Sequence, residues 1–207
     1  MKNCRGEFLD FLRKIGYYSS VSELLFERYY HELLAENQKV NLFSRKMDLD
    51  EVWVRHFLDS ISVFEVYQDF SGKQVLDFGT GGGLPGLPIK ILAPDAILTL
   101  LDSTKKKVDA VRGMVDRLRI DGVKYIWCRL EAPEMKQYYG SFDVIVCRGV
   151  KITAELSKVT LRLLKKNGKI ILYKAVELED VDRFEDVKVH ELEIDGLGVR
   201  KIVLIRN

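Results

Sequence analysis

The chain has 207 residues, of which 47% are hydrophobic and 31% charged, enough apolar material for one domain with a modest extension. A formal net charge of +2 does not mark a nucleic-acid protein by bulk electrostatics, so any such role must rest on local patches. No apolar run reaches the ~18 residues of a membrane span, residues 1–7 lack the apolar core of a secretion signal, and Cys4, Cys128 and Cys147 show neither metal spacing nor a disulfide framework; a cytoplasmic protein is expected.

Residues 1–70 read as a helical extension. Phe8, Leu9, Phe11, Leu12 and Ile15 form one apolar stripe at helical spacing, and Leu25, Phe26, Tyr29, Tyr30, Leu33 and Leu34 form a second. Ser22 with Glu23 resembles the start of that second helix. Residues 37–45 are polar and turn-like. Asp48 is placed to cap a third helix running through Val52, Trp53, His56, Phe57 and Val63.

From Lys73 onward strands and helices alternate. Strands are predicted at 74–78, 97–102, 124–128, 142–147 and 169–174, with helices between them that include 104–119 and 152–164. That alternation predicts an α/β fold with a mostly parallel sheet covered on both faces, one compact unit over residues 71–207. Two closing strands, 187–194 and 200–205, flank Asp195-Gly196-Leu197-Gly198, a hairpin signal that brings the sheet to seven strands. An antiparallel closing pair fits the Rossmann-like S-adenosylmethionine methyltransferase fold better than a plain dinucleotide fold.

The stretch that carries most information is Val75-Leu76-Asp77-Phe78-Gly79-Thr80-Gly81-Gly82-Gly83-Leu84-Pro85-Gly86. It reads as a buried strand, an acid near its carboxyl end, a glycine turn and a helix start. Glycines there let backbone approach a ligand closely. A second predicted strand ends in Asp102, roughly 20 residues beyond the turn, where an acid takes ribose hydroxyls in nucleotide folds. An adenosine-containing cofactor follows. Gly81-x-Gly83-x-x-Gly86 formally matches the dinucleotide fingerprint, which keeps a nicotinamide-dependent oxidoreductase open. The register Asp77-x-Gly79-x-Gly81-x-Gly83 is favoured, because an acid ahead of the first glycine suits a cationic ligand such as S-adenosylmethionine and crowds a pyrophosphate.

The fourth predicted strand ends in Cys147-Arg148-Gly149. An arginine after a run of buried apolar residues needs a partner, and a cofactor carboxylate or nucleic-acid phosphate would suit its planar fork. Arg129, after the third strand, reads equally as a surface cation or a ligand contact. His56 and Asp59 are three apart on one helix and could hydrogen-bond, or simply form a surface pair. Lys105, Lys106 and Lys107 open the helix after Asp102, beside the expected cofactor mouth, as a phosphate-binding patch or a solvated face. Cys147 reads as a buried small hydrophobe, with a nucleophile for cytosine C5 as the alternative.

Together these motifs resemble the bacterial RsmG family, also called glucose-inhibited division protein B. The resemblance runs from about Phe8 to Lys174. It is carried by Asn41-Leu42, His56-Phe57-Leu58-Asp59-Ser60, the loop from Asp77 to Gly86, Leu101-Asp102-Ser103 with Lys105 and Lys106, Arg129-x-Glu131, Phe142-Asp143 with Arg148, and Tyr173-Lys174. It implies methyl transfer from S-adenosylmethionine to N7 of guanine 527 in the 530 loop of 16S rRNA, with a small subunit or an assembly intermediate as the expected partner; a monomer is the default expectation, and no metal is expected. It implies cofactor contacts at Gly79, Leu84, Leu130, Glu131 and Arg148, with Asp102 on the ribose. Arg148 is expected to position the reactants, with Asp77, Gly81 and Gly83 completing the cofactor cradle. RNA contacts are expected at His56, Asp59, Lys105, Lys106, Arg129 and Lys174. Where the family usually has Phe before Pro-Gly this chain has Leu84, and Phe43, Cys147 and Gly149 also depart from its pattern.

Overall fold

The computed structural model describes residues 3–175 and 178–207. Its centre is a seven-stranded sheet in the order β3-β2-β1-β4-β5-β7-β6. The strands are β1 (Gln74–Phe78), β2 (Ile97–Asp102), β3 (Val123–Trp127), β4 (Phe142–Arg148), β5 (Leu164–Lys174), β6 (Asp186–Ile194) and β7 (Gly198–Arg206). β1 to β5 are parallel, while β7 pairs antiparallel to both β5 and β6. The predicted α/β sheet and its closing hairpin are therefore present. The strand boundary that moves most is that of β5, which extends back to Leu164 through an irregularity in its pairing with β4.

The helices are α1 (Cys4–Lys14), α2 (Ser20–Lys39), the single turn α3 (Asp59–Ile61), α4 (Gly86–Leu92), α5 (Lys105–Leu118) and α6 (Ala154–Leu163). Ser19, rather than Ser22, caps α2. Its hydroxyl accepts from the Ser22 N–H at 3.0 Å while the Ser22 hydroxyl accepts from the Ser19 N–H at 2.9 Å, a reciprocal box that satisfies two end donors. The third predicted helix is not one regular helix. Asp48 instead accepts from the Asp50 N–H at 3.1 Å in a turn. The chain then enters a π-helical segment, Trp53–Leu58, which passes into α3. Its wider backbone places Arg55 and His56 where their carbonyls reach β4, as described below.

Period-two alternation distributes the strands between two cores. Val75, Leu98, Leu100, Val144, Val146, Ile171 and Tyr173 face the N-terminal helices, α4 and α5. Leu76, Phe78, Leu101, Ile145, Cys147, Ile170 and Leu172 face the α6 side. The N-terminal helices are sealed to the first face by an aromatic cluster in which Phe8 meets Phe26 at 4.7 Å and Tyr29 stacks on Phe57 at 5.0 Å. One apolar core thus runs without interruption from α1 to the sheet. This alternation also decides the site: Arg148 follows Val144 and Val146 and so emerges beneath the N-terminal helices.

Candidate functional site

Chain order reverses between β1 and β4, the switch point at which open α/β sheets bind ligands. At the end of β1 the N–H groups of Gly79 and Thr80 donate to the Leu101 carbonyl at 2.8 and 3.1 Å, bending the chain off the sheet. Gly83 has φ +93°, and a Cβ there would lie 2.5 Å from Leu87 Cδ1. Gly81 has φ +55°, and its N–H donates to Asp102 Oδ2 at 3.0 Å. The other oxygen of Asp102 accepts from the Thr104 N–H at 2.8 Å. Asp102, itself 6% exposed, thus joins the two turns beside the cleft, and each of its oxygens retains a lone pair.

Asp77 has a different place from the one its sequence position predicts. It is fully buried beneath the loop, where Oδ2 accepts from the Thr80 hydroxyl at 2.7 Å and the Gly86 N–H at 2.9 Å. Burial raises its carboxyl to about 6, against the opposing pull of those two bonds. Its Oδ1 is buried without a partner. Asp77 fastens the glycine turn to α4 from below rather than facing a ligand. Gly86 itself serves packing: an added Cβ would lie 2.8 Å from Asp77 Oδ2 and 2.9 Å from Leu100 Cδ2.

Arg148 is the hub of the crevice wall. One guanidinium nitrogen donates to the Arg55 carbonyl at 3.2 Å and to Asp59 Oδ2 at 2.8 Å. Its other terminal nitrogen lies 3.3 Å from His56 Nδ1. A guanidinium only donates, so Nδ1 accepts and Nε2 carries the proton. That Nε2 is buried without a partner. Burial, reinforced by the Arg148 charge, lowers the His56 pKa to about 3, so the ring is neutral at pH 7. His56 and Asp59 therefore do not pair with each other; both answer Arg148. Arg200 of β7 reaches Asp59 Oδ1 at 3.1 Å, so one carboxylate holds two guanidiniums. Tyr173 completes the wall, its hydroxyl donating to the Ser60 carbonyl at 2.7 Å.

These elements enclose a cleft of about 390 Å³ lined by residues that include Gly79, Gly81, Leu84, His56, Asp59 and Arg148. Leu42, Arg55, Thr80 and Lys107 also line it; Leu42 and Thr80 lie in motifs that carry the family resemblance, but the sequence assigned no contact to Leu42, Arg55 or Thr80. Lys107, not Lys105 or Lys106, is the member of the lysine run that reaches the cleft; the other two are exposed on α5. Leu130 is buried just past β3, while Arg129 and Glu131 are exposed beside it and 3.7 Å apart. Lys174 is not free for RNA: it donates to Asp180 Oδ2 at 2.6 Å in a largely buried pair. Cys147 points into the opposite core, where burial pushes its thiol well above the ordinary range, so it is not placed as a nucleophile.

Against this geometry, the family model for GidB, rRNA small subunit methyltransferase G, matches residues 23–197. The chain belongs to this family. A Mycoplasma capricolum protein named ribosomal RNA small subunit methyltransferase G is 35% identical over 182 residues, covering 83% of this chain and 77% of its own. A Lachnoclostridium phytofermentans protein of the same name is 35% identical over 193 residues, covering 92% and 77%. Among solved structures, TrmN from Thermus thermophilus aligns with TM-score 0.58 at 16% identity over 75% of this chain and 53% of its own. A mutant of MtNAS in complex with S-adenosylmethionine aligns with TM-score 0.61 at 12% identity over 90% and 76%. At such identities these two likenesses are of fold.

The crevice of this GidB family member fits S-adenosylmethionine. Its volume of about 390 Å³ lies within the ~300–1,000 Å³ of small-molecule sites. Glycine backbone lines one wall, a carboxylate with spare lone pairs stands at the end of β2, and the orphaned Nε2–H of His56 belongs to a side chain that lines the cleft. Among the described residues no helix is long and apolar enough to cross a membrane, and no cluster of three or more ligating side chains could hold a metal.

Proposed function

We propose that this rRNA small subunit methyltransferase acts on N7 of a guanine in 16S rRNA, the guanine 527 that the family resemblance implies. The cofactor, S-adenosylmethionine, supplies a methyl group made electrophilic by its sulfonium. Asp102 holds the ribose hydroxyls, the backbone at Gly79 and Gly81 lies against the ligand, and Leu84 packs beside it. Leu130 and Glu131 border the adenine side from the end of β3. Arg148 acts as a positioning residue, pinning the π-helical segment to β4 and so fixing the wall that the incoming base meets. Lys107 and Arg55 add positive charge at the mouth, where a phosphate backbone would approach.

The observation that carries the reading is that the titratable groups of the wall are already committed. Asp59 is held by two guanidiniums, and His56 Nδ1 is occupied by Arg148. Neither is free to remove a proton. An in-plane lone pair such as guanine N7 needs no base, whereas an exocyclic amine or a ribose hydroxyl does. The substrate form is the small subunit or an assembly intermediate, and the enzyme acts as a cytoplasmic monomer.

Single-turnover transfer rates measured from pH 6 to 9 test this. A lone-pair acceptor with no base predicts a log rate that is flat within about twofold. A rise approaching tenfold per pH unit would mean that a proton must leave before transfer, and would remove the N7 assignment.

A further inference from the structure

Tyr17, Tyr29 and Tyr30 of the N-terminal region are spent on packing. Tyr29 is fully buried, Tyr17 lies 4.6 Å from Phe64, and Tyr30 stacks on Trp53 at 4.9 Å. Of the exposed aromatics, Tyr18 lies between α1 and α2 with its hydroxyl donating to Glu23 at 2.7 Å, and Tyr139 precedes β4 at the far end of the strands from the cleft. Trp127 is different. It is 58% exposed, it is the last residue of β3, and it pairs in register with Asp102, the acid at the cofactor cleft.

Its ring is held in place without being covered. The indole N–H donates to the Ser103 carbonyl at 3.1 Å, and the Lys105 ammonium stands 5.9 Å from the ring centroid. Lys105 is otherwise engaged only in an exposed pair with Asp109 at 2.6 Å, which a phosphate can displace at small cost. Arg129 follows two residues on with its side chain 77% exposed, and Lys106 is exposed on α5. An oriented, exposed aromatic ring with a cation beside it and further exposed cations close by in the chain is the combination that binds single-stranded nucleic acid: the base stacks and the flanking phosphates pair with the cations.

We propose that Trp127 is a stacking platform for an unpaired base of the RNA substrate, outside the methylated position, with Lys105 and Arg129 on the adjoining phosphates. The proposal rests on the RNA reading above and adds a contact on the β3 side of the cleft.

The chain has two tryptophans, and Trp53 is only 3% exposed, so fluorescence isolates the platform. Titration with small-subunit rRNA should quench the wild-type emission and leave Trp127→Phe unchanged. Trp127→Ala should raise the KM for RNA about tenfold, the loss of one base–aromatic stack, with the KM for S-adenosylmethionine and the Tm unaltered. Trp127→Phe, which keeps a ring, should restore the KM to within about threefold of wild type. A wild-type KM for RNA in Trp127→Ala overturns the proposal. Quenching of Trp127 by S-adenosylhomocysteine alone also overturns it, since the face would then belong to the cofactor. If the wild-type protein methylates no rRNA, the RNA reading fails first and the platform fails with it.

Discussion

At the scale of single residues the molecule separates groups that touch a ligand from groups that hold the site in shape. Asp77 and Asp102 look alike in the sequence, each an acid at the end of a strand. Both are buried fasteners, Asp77 tying Thr80 to Gly86 and Asp102 tying Gly81 to Thr104, and the proposed ribose contact distinguishes the second. Their neighbour His56 gives a pH prediction. Its folded pKa of about 3 lies below the ordinary 6.5, so the unfolded chain binds more protons through that window. Stability from this group is complete above about pH 6.5 and is lost as pH falls toward 3. Asp77 works the other way: raised from 3.8 to about 6, it favours the folded state as pH falls through that range. Urea unfolding at pH 7.5 and pH 5 should show a loss of stability for the wild type on acidification. His56→Gln, which retains Asp77 but has no imidazole to charge, should lose less or gain. An equal loss in both proteins would mean that His56 is not the group responsible.

At the scale of elements, the glycine turn and the π-helical segment do the positioning. The turn was legible because its glycines are demanded one by one. Gly83 adopts a conformation that L side chains rarely enter, and an added Cβ would press on Leu87 at 2.5 Å and on the Tyr29 hydroxyl at 3.1 Å. Gly83→Ala is expected to cost about 1–3 kcal/mol from the backbone alone. That lowers the Tm by roughly 2–12 °C for a chain of this size, at about 2–4 °C per kcal/mol. Scanning calorimetry checks it; an unchanged Tm would mean that the turn is not held in this conformation. The π-helical segment was not legible. His56 and Asp59 suggested a helix face, and the spacing is indeed helical, but what unites them is Arg148, 89 positions beyond Asp59. Hydrophobic periodicity reports the face a residue occupies and says nothing of which distant residue shares it. The start of α2 failed for a more local reason: Ser19 and Ser22 are both capping residues, and only the backbone at Ser19, extended rather than helical, decides which of them is the cap.

At the scale of the whole molecule, the parallel sheet and its closing hairpin could be read, because strands alternate with helices and the hairpin carries its own turn signal, whereas the strand order comes from the structure. Seven strands and the switch point then place the cleft without reference to any side chain. The remaining design is long-range. Arg200, on a strand that pairs with β5 at the far side of the switch point, reaches across to Asp59, 141 positions away, so the C-terminal hairpin and the N-terminal helices brace the same wall. A net charge of only +2 does not show where cations lie: Lys107 and Arg55 line the cleft, while Arg55, Lys105 and Arg129 stand beside Glu51, Asp109 and Glu131. The account as a whole claims that this cleft presents a guanine to a methyl donor with no base required. Nucleoside mass spectrometry is its most direct test: small-subunit particles and naked rRNA from cells lacking the activity, incubated with the protein and S-adenosylmethionine bearing a deuterated methyl group. Label in 7-methylguanosine is the predicted result. Label in 5-methylcytidine, or in no nucleoside of either preparation, would contradict it.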